Sequence, residues 1–304
     1  MKKLTVFGSF FEDLCGRGPY LPKPGETLIG SEFTYGPGGK GSNQAVAAQR
    51  AGANVAMITK IGKDPYGEMV LEFYDGEGID RSHVFIDDRK ATGIALILVD
   101  ENTGENSILV APGACHNISN YDVESVRNTI ADSDMLMVQM EVNMDATFMA
   151  MKIAHENNVP IIMNPAPAQR IPDEYYRMMD YITPNETEAE ILTGIRVDSN
   201  DNVKRAANAL YEKGVRNVII TLGKQGVYIK NSEMSGKVPA YNVKTVDTTG
   251  AGDAFNGCFA AGLLEGMVID EAADFANAGA ALSVTKPGTA PSMPFRSDID
   301  KFLK

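Results

Sequence analysis

The segment 246–257 carries the residues best suited to chemistry. It reads Val-Asp-Thr-Thr-Gly-Ala-Gly-Asp-Ala-Phe-Asn-Gly and joins an extended stretch to a helix of small residues. The first turn of a helix leaves backbone N–H groups free, so Gly250, Ala251 and Gly252 could hold an oxyanion or a phosphate. Asp253 would repel an anion, but it suits a base that takes a proton from an attacking hydroxyl. The alternative is that Asp253 only complements the helix dipole.

A second glycine-rich segment, Gly-Pro-Gly-Gly-Lys-Gly at residues 36–41, lies near the N-terminus. Its glycines let the backbone close on a small polar ligand, and Asn43 opens the next helix; a tight turn with an asparagine cap is the alternative. The segment also matches the Gly-x-Gly-x-x-Gly of dinucleotide folds, which leaves a nicotinamide-dependent dehydrogenase as an alternative function. It lacks the Lys and Ser/Thr that a Walker phosphate loop requires after its last glycine.

The two segments together resemble the signatures of the ribokinase-like carbohydrate kinases, or PfkB family, in the family's order. The resemblance runs from Phe7 to Ser292. It implies an ATP-dependent kinase that phosphorylates a primary hydroxyl of a small sugar, most simply ribose, with Asp253 as general base and an anion hole at 250–253. A kinase for 2-deoxyribose, a ketohexose or a nucleoside is an alternative, and a non-catalytic sugar sensor on the same fold is another.

The resemblance also implies the residues that contact the sugar. Besides Asp253 these are Asp13, Gly39, Lys40, Asn43 and Glu141. Carboxylates accept hydroxyl protons and suit a vicinal diol, although Asp13 or Glu141 alone could be a solvated loop residue after an apolar strand. Ribokinases tend to carry an asparagine two residues before this Asp13, where the present chain has Phe11. Phe11 either points into the sugar pocket and changes sugar preference, or turns into the core.

Nucleotide and metal sites follow from the same resemblance. Nucleotide contacts are implied for Asn185, Thr221, Gly223, Gly226 and Asn277. Glu188 completes an Asn-x-x-Glu motif that holds Mg²⁺ through water, although acidic residues also commonly begin helices. A potassium site is implied at Asp247, Thr249, Val284, Pro287, Gly288 and Ser292. Prolines and a glycine expose carbonyl oxygens there, and an ordinary loop is the alternative.

Strands and helices alternate along most of the chain, which predicts a mostly parallel central sheet with helices on both faces. Extended segments at about 14–36 and 91–113 break the alternation, and we expect them to form a small β-lid within one domain, 1–304. Ligands of such sheets bind beyond the carboxyl ends of the strands. Polar residues and a glycine follow strand ends at Asp13, Glu141, Asn164, Asn185 and Gly223.

Composition limits the partners. The net charge of −12 argues against nucleic acid or an anionic membrane, and leaves a small sugar and ATP as the expected ligands. Three widely spaced cysteines fit a reducing cytoplasm, and no apolar stretch is long enough to cross a bilayer. Exposed apolar edges on lid strands could pair across a two-fold axis, so we expect a homodimer through the lid.

Overall fold

A computed structural model describes residues 2–304, in which thirteen strands and eleven α-helices are found. The strands are β1 Lys3–Phe7, β2 Phe11–Gly18, β3 Glu32–Gly38, β4 Asn54–Gly62, β5 Asp80–Asp87, β6 Ile94–Asp100, β7 Asn106–Ala111, β8 Met135–Val138, β9 Ile161–Met163, β10 Tyr181–Ile182, β11 Asn217–Thr221, β12 Val227–Lys230 and β13 Ser235–Val238. The helices are α1 Lys40–Arg50, α2 Pro65–Glu77, α3 Asn120–Ser125, α4 Arg127–Ala131, α5 Met144–Glu156, α6 Asp173–Tyr176, α7 Glu186–Thr193, α8 Asn200–Glu212, α9 Ala251–Glu265, α10 Ile269–Ser283 and α11 Arg296–Phe302.

Nine strands form the central sheet, in the order β13-β12-β11-β10-β9-β8-β1-β4-β5. All neighbours from β11 to β5 pair in parallel, and β12 and β13 extend one edge in the antiparallel sense. Alternate residues of β8 enter different clusters: Met137 packs with residues of α1, α9 and α10, whereas Leu136 packs with residues of α5 and α8. The predicted mostly parallel sheet with helices on both faces is confirmed.

A second sheet of four strands, in the order β3-β2-β6-β7, accounts for the extended segments that break the alternation. Both segments expected to form a lid, 14–36 and 91–113, contribute strands to it. Strand β2 begins at Phe11, four residues after β1 ends. Asp13 therefore lies within this small sheet, and the alternative in which it is a solvated loop residue is wrong.

Two local expectations also differ from the structure. Strand β5, at the edge of the central sheet, was not predicted, because its first half is polar and shows no apolar alternation. The stretch before the segment 246–257 was expected to be extended, but β13 ends at Val238 and residues 239–246 form no strand. No helix within residues 2–304 combines the length and the apolar character needed to cross a membrane.

Helices α1 and α9 approach so closely that only glycine fits at their contact. A Cβ atom on Gly257 would lie 2.5 Å from Ala47 Cβ and 2.6 Å from the carbonyl oxygen of Gln44. Small side chains continue along both helices on either side of this point. The first turns of α1 and α9 are thereby held together, and each follows one of the two glycine-rich segments.

Candidate active site

Asp253, in the first turn of α9, lies at the centre of a buried polar cluster and is 7% exposed. Its Oδ2 accepts a hydrogen bond from Asn43 Nδ2 at 3.0 Å, and its Oδ1 accepts one from Gln44 Nε2 at 2.9 Å. Burial raises the pKa of Asp253, while the charge of Lys40 and the two amide bonds oppose that rise. The two glycine-rich segments thus meet at one carboxylate whose environment makes it basic.

Lys40 supplies the positive charge among the acids of this cluster. Burial lowers the pKa of Lys40, but attraction to Asp253, Glu141 and Glu188 outweighs burial, so the pKa is raised. Glu141 Oε2 accepts hydrogen bonds from Ser9 Oγ at 2.5 Å and from the Lys40 backbone N–H at 2.8 Å. Burial raises the pKa of Glu141 as well, although Lys40 opposes the rise.

Asp13 reaches the same cluster from the small sheet. Its Oδ2 accepts a hydrogen bond from Thr289 Oγ1 at 3.3 Å. Burial and, to a smaller extent, the charges of Glu141 and Asp253 raise the pKa of Asp13 to about 6, against the Thr289 bond. The carboxylate lies directly over Gly38, where a Cβ atom would come within 2.3 Å of it. A side chain at 38 would therefore displace Asp13.

The glycine-rich turn before α1 leaves one acceptor without a partner. Gly39 has φ of 85°, and a Cβ atom there would lie 2.8 Å from the Phe11 backbone nitrogen, so the position requires glycine. Asn43 Oδ1 is buried and has no hydrogen-bond partner among residues 2–304. Buried acceptors are rarely left unpaired, so this oxygen is suited to a ligand hydroxyl or a water molecule.

The anion hole expected at 250–253 offers fewer free N–H groups than expected. Gly250 adopts a left-handed φ of 76° before α9, and the turn it makes lets the Ala251 N–H donate to the Thr248 carbonyl at 3.2 Å. The expectation that Ala251 offers a free N–H is therefore wrong in this structure. The N–H groups of Gly252 and Asp253 have no protein acceptor within the described chain. The Gly250 N–H has no acceptor there either, so three of the four N–H groups at 250–253 remain for an anion.

A cleft opens from this cluster along the carboxyl ends of β9, β10 and β11. Its walls include Asn164, Asn185, Glu188 and Thr221, and α9 begins at one side. Asn185 Oδ1 accepts from the Glu188 N–H at 2.8 Å, and Glu188 Oε2 accepts from the Asn185 N–H at 2.9 Å, so the pair caps α7. Burial raises the pKa of Glu188. The Asn185–Glu188 pair begins a helix and also faces the cleft. Its role as a helix cap is therefore compatible with the predicted role of Glu188 in holding Mg²⁺ through water.

Three residues expected at the nucleotide lie outside the walls of this cleft. Gly226 has φ of 87°, and a Cβ atom there would lie 2.1 Å from the Val238 carbonyl oxygen, so it is required by the turn. Gly223 begins a short 3₁₀ turn and faces open space. Asn277 Nδ2 donates to the carbonyls of Val238 and Pro239 at 3.3 and 3.0 Å. These donors of Asn277 hold the chain that leaves β13, and a contact to adenine stays a prediction.

The residues expected to hold potassium lie on two joined segments. Asp247 Oδ1 accepts from the Thr249 N–H and Oγ1 at 2.9 and 2.7 Å, and Asp247 Oδ2 accepts from the Gly288 N–H at 3.0 Å. The Val284 carbonyl accepts from the Asp247 N–H at 3.2 Å. Pro287 precedes Gly288, and Ser292 Oγ donates to the Thr289 carbonyl at 2.8 Å. Oxygens, one carboxylate among them, are the ligands that hard cations bind, and potassium at these residues stays a prediction.

Phe11 lies beneath the site. It is 2% exposed and packs in a cluster with Val138 and Met140, and a Cβ atom on Gly93 would lie 2.6 Å from its ring. If Phe11 lined the empty sugar pocket, more of its ring would be exposed. This burial favours the alternative in which Phe11 belongs to the core.

Sequence reasoning missed the amides that surround the cluster. Gln44, Gln139 and Asn256 are buried and hydrogen-bonded within it, and Asn256 lines the cleft. The only sequence signal for such a buried amide is its place in a helix rich in alanine, as at Gln44.

The dehydrogenase alternative fails on topology. Gly36 and Gly38 lie in β3, at the edge of the small sheet, and Gly41 lies in α1. A dinucleotide motif must follow a strand of a parallel βαβ unit, which this segment does not do.

The pfkB family carbohydrate kinase model matches residues 1–296. The chain belongs to the PfkB family of carbohydrate kinases. It is 44% identical over 303 residues to a ribokinase of Haemophilus influenzae, covering 100% of this chain and 99% of that protein. It is 36% identical to a deoxyribokinase of Salmonella typhi, covering 99% and 98%. The structure of Arabidopsis thaliana ribokinase complexed with ribose and ATP superposes with a TM-score of 0.91 at 30% identity, covering 100% and 99%.

The predicted family is confirmed, and the PfkB membership makes the protein a phosphotransferase that acts on a sugar hydroxyl. A non-catalytic sensor is not supported, because the buried carboxylate at the start of α9 is retained.

Asp253→Asn tests the carboxylate. We expect turnover to fall by roughly a hundredfold or more, because an amide cannot accept the hydroxyl proton, with ATP affinity little changed. Steady-state kinetics and ATP titration would measure the two effects. Asp274→Asn is the control, because Asp274 accepts a hydrogen bond from Tyr241 outside the site. Near-normal turnover in Asp253→Asn would exclude the role of base.

Proposed function

We propose that the protein transfers the γ-phosphoryl group of ATP to the 5-hydroxyl of ribose, giving ribose 5-phosphate and ADP. The observation that carries the proposal is the buried Asp253 carboxylate beside two free N–H groups at the start of α9. The relatives named ribokinase, one of them solved with ribose and ATP, support this choice of substrates.

The sugar would lie among the acids that surround Lys40. Asp13 and Glu141 have oxygens that can accept hydroxyl protons, and Asn43 Oδ1 is a further acceptor without a partner inside the described chain. Gly39 lets the backbone close over the ligand, and Lys40 can donate to a ring or hydroxyl oxygen. These groups recognise a polyol better than a nucleobase, which favours a free sugar over a nucleoside.

In the transfer step, the 5-hydroxyl gives its proton to Asp253 while its oxygen attacks the γ-phosphorus and the bond to the β-phosphate oxygen breaks. The N–H groups of Gly252 and Asp253 would stabilise the charge on the transferred group, with Lys40 nearby. Bound sugar would take the place of water at the attacking position, which would limit hydrolysis of ATP. The donor ATP would lie along the cleft beside Asn185 and Thr221, towards Gly223 and Gly226.

Magnesium fits this site as a companion of the nucleotide. Residues 2–304 contain no group of three or more His, Cys, Asp or Glu side chains placed to hold a metal. Mg²⁺ commonly keeps several waters and binds through one or two carboxylates and substrate phosphates, as Glu188 in the cleft wall would allow. Bound in that way, Mg²⁺ would neutralise charge on the phosphates.

We also propose the cytoplasm as the location, because the three cysteines are free thiols.

The substrate is tested by a screen of ATP consumption with Mg²⁺ over pentoses, deoxypentoses, ketohexoses, nucleosides and sugar phosphates. We expect ribose to have the highest kcat/KM, because the site offers several acceptors for hydroxyl groups. Asp253→Asn serves as the blank. If kcat/KM is higher for 2-deoxyribose than for ribose, 2-deoxyribose becomes the preferred substrate in place of ribose. Absence of sugar-dependent ATP consumption would contradict the kinase assignment.

Potassium is proposed as an activator that binds Asp247 and the carbonyl oxygens of the 284–292 loop. We expect faster turnover in KCl than in NaCl at equal ionic strength, because a cation bound at Asp247 and the 284–292 loop would order the start of α9 without contacting the phosphate. Asp247→Asn should lose the difference between the salts, since it removes the charged ligand. Equal rates of the unaltered protein in both salts would exclude the cation.

We propose that two copies associate through the outer face of the small sheet. Tyr35, Leu96 and Leu109 lie in one row across this face, with Leu14 of β2 between Tyr35 and Leu96, and are 60, 40 and 62% exposed. Leu96→Glu should shift the protein towards monomer in sedimentation velocity, because it places a charge in the contact. Ile191→Glu, at an exposed apolar residue of α7, is the control. A monomeric unaltered protein would contradict the proposal.

A further inference from the structure

A line of buried amide side chains connects the main chain to the Asp253 carboxylate. Asn164 Nδ2 donates to the Thr183 carbonyl at 3.1 Å, and Asn164 Oδ1 accepts from Gln44 Nε2 at 3.0 Å. The same Gln44 nitrogen donates to Asp253 Oδ1 at 2.9 Å. Gln44 Oε1 in turn accepts from Gln139 Nε2 at 2.7 Å. Gln44 is 0% exposed, so it is reached only by protein groups.

Donors and acceptors along this line have one consistent arrangement. The Thr183 carbonyl can only accept, so Asn164 must turn its NH₂ group there and its oxygen towards Gln44. Gln44 must then direct its NH₂ group at both Asn164 and Asp253, and its oxygen at Gln139. A rotated Gln44 amide would set its oxygen against two acceptors in a site closed to water, which is costly. The main chain thereby determines which atom of Gln44 faces the carboxylate.

The carboxylate is consequently held on both sides. Gln44 donates to Oδ1 and Asn43 donates to Oδ2, so the plane of the Asp253 carboxylate is defined by two side chains of one helix. Each oxygen keeps a second lone pair for another proton donor. Hydrogen bonds to the ionised form of a carboxylate favour that form.

We propose that Gln44 is a positioning residue for phosphoryl transfer, whose amide, oriented by Asn164 and Gln139, aims the Asp253 carboxylate at the sugar hydroxyl and keeps it ionised. The proposal rests on the proposed function, because it requires Asp253 to act as the base. Gln44 does not line the cleft, so its effect passes through Asp253 and not through contact with sugar or ATP.

Charged groups from every neighbouring element act on Asp253 as well. They are Lys40 in α1, Asp13 in β2, Glu141 beyond β8 and Glu188 in α7. Burial raises the pKa of Asp253 most, and the charge of Asp253 in turn raises the pKa of the three other acids. Lys40 and the two amide bonds oppose the rise, so loss of the Gln44 amide should leave Asp253 harder to ionise.

Gln44→Met tests the role, because methionine has similar length and cannot donate these hydrogen bonds. We expect kcat with ribose and MgATP to fall roughly 10- to 100-fold through misplacement of the base, while KM for ribose changes little. The acidic limb of the kcat–pH profile should move to higher pH, since the base must be ionised to accept a proton. A purely structural role would not move this profile.

Gln49→Met is the matched control on the same helix. Gln49 Oε1 accepts from the Val55 N–H at 3.0 Å and has no contact with Asp253, so we expect wild-type kcat and pH profile. Gln139→Met is a second variant that leaves Asp253 untouched but removes the donor to Gln44 Oε1, so that this buried oxygen loses its partner and the amide is held less firmly. It should shift the acidic limb of the kcat–pH profile to higher pH, as Gln44→Met does, with a smaller loss of kcat. If Gln44→Met does not fold, Gln139→Met is the variant that tests the proposal.

Two outcomes separate this role from the function on which it rests. If the unaltered protein phosphorylates ribose and the pH profiles of Gln44→Met and Gln139→Met match it, the positioning role is wrong and the kinase assignment stands. If the unaltered protein consumes no ATP with any sugar, both are wrong. A loss of kcat in Gln49→Met equal to that in Gln44→Met would also overturn the positioning role.

Discussion

The contact between α1 and α9 at Gly257 is the constraint on which the rest of the site depends. A Cβ atom there would overlap Ala47 and the backbone of Gln44, so any larger residue would separate the helices. Asn43 and Gln44 could not then both reach Asp253 with short hydrogen bonds. The two glycine-rich segments are far apart in sequence, and this packing of small residues is what makes them one site.

Burial and charge act against each other throughout the site. Withdrawing Asp13, Glu141, Glu188 and Asp253 from water raises the pKa of each carboxyl group, and their mutual repulsion raises several of them further. Lys40 is the nearest compensating charge, and backbone and amide N–H groups supply the remainder. Such a cluster costs stability and is retained where chemistry needs groups that exchange protons near neutral pH.

Much of the fold was predictable from local signals. Alternating apolar strands and helices indicate the parallel sheet, and glycine spacing indicates both motifs, because these features depend on neighbouring residues. The position of Asp13 in a strand of the small sheet was not predictable from local signals, because β2 becomes a strand only by pairing with β3 and β6. The bond between Ala251 and Thr248 depends on the turn at Gly250, which the glycine allows but does not require.

The amides around Asp253 lie beyond sequence reasoning for a different reason. Gln44 meets Asn164 and Asp253 across separations of 120 and 209 residues, and no local pattern marks a glutamine as buried and fully bonded. In a helix rich in alanine, Gln44 and Gln49 look alike, although one bonds to Asp253 and the other to the backbone of Val55. Only the three-dimensional packing distinguishes them.

With the sugar bound as proposed, the acids around Lys40 would also act on it after it has been phosphorylated. In the proposed function a neutral sugar would enter among Asp13, Glu141 and Asp253, and it would leave with a phosphate of about −1.5 to −2 charge at neutral pH. Repulsion between that phosphate and the carboxylates weakens binding of the product relative to the substrate, because the negative groups outnumber Lys40. The charge that the reaction itself creates would thus speed product departure and limit inhibition by accumulated sugar phosphate.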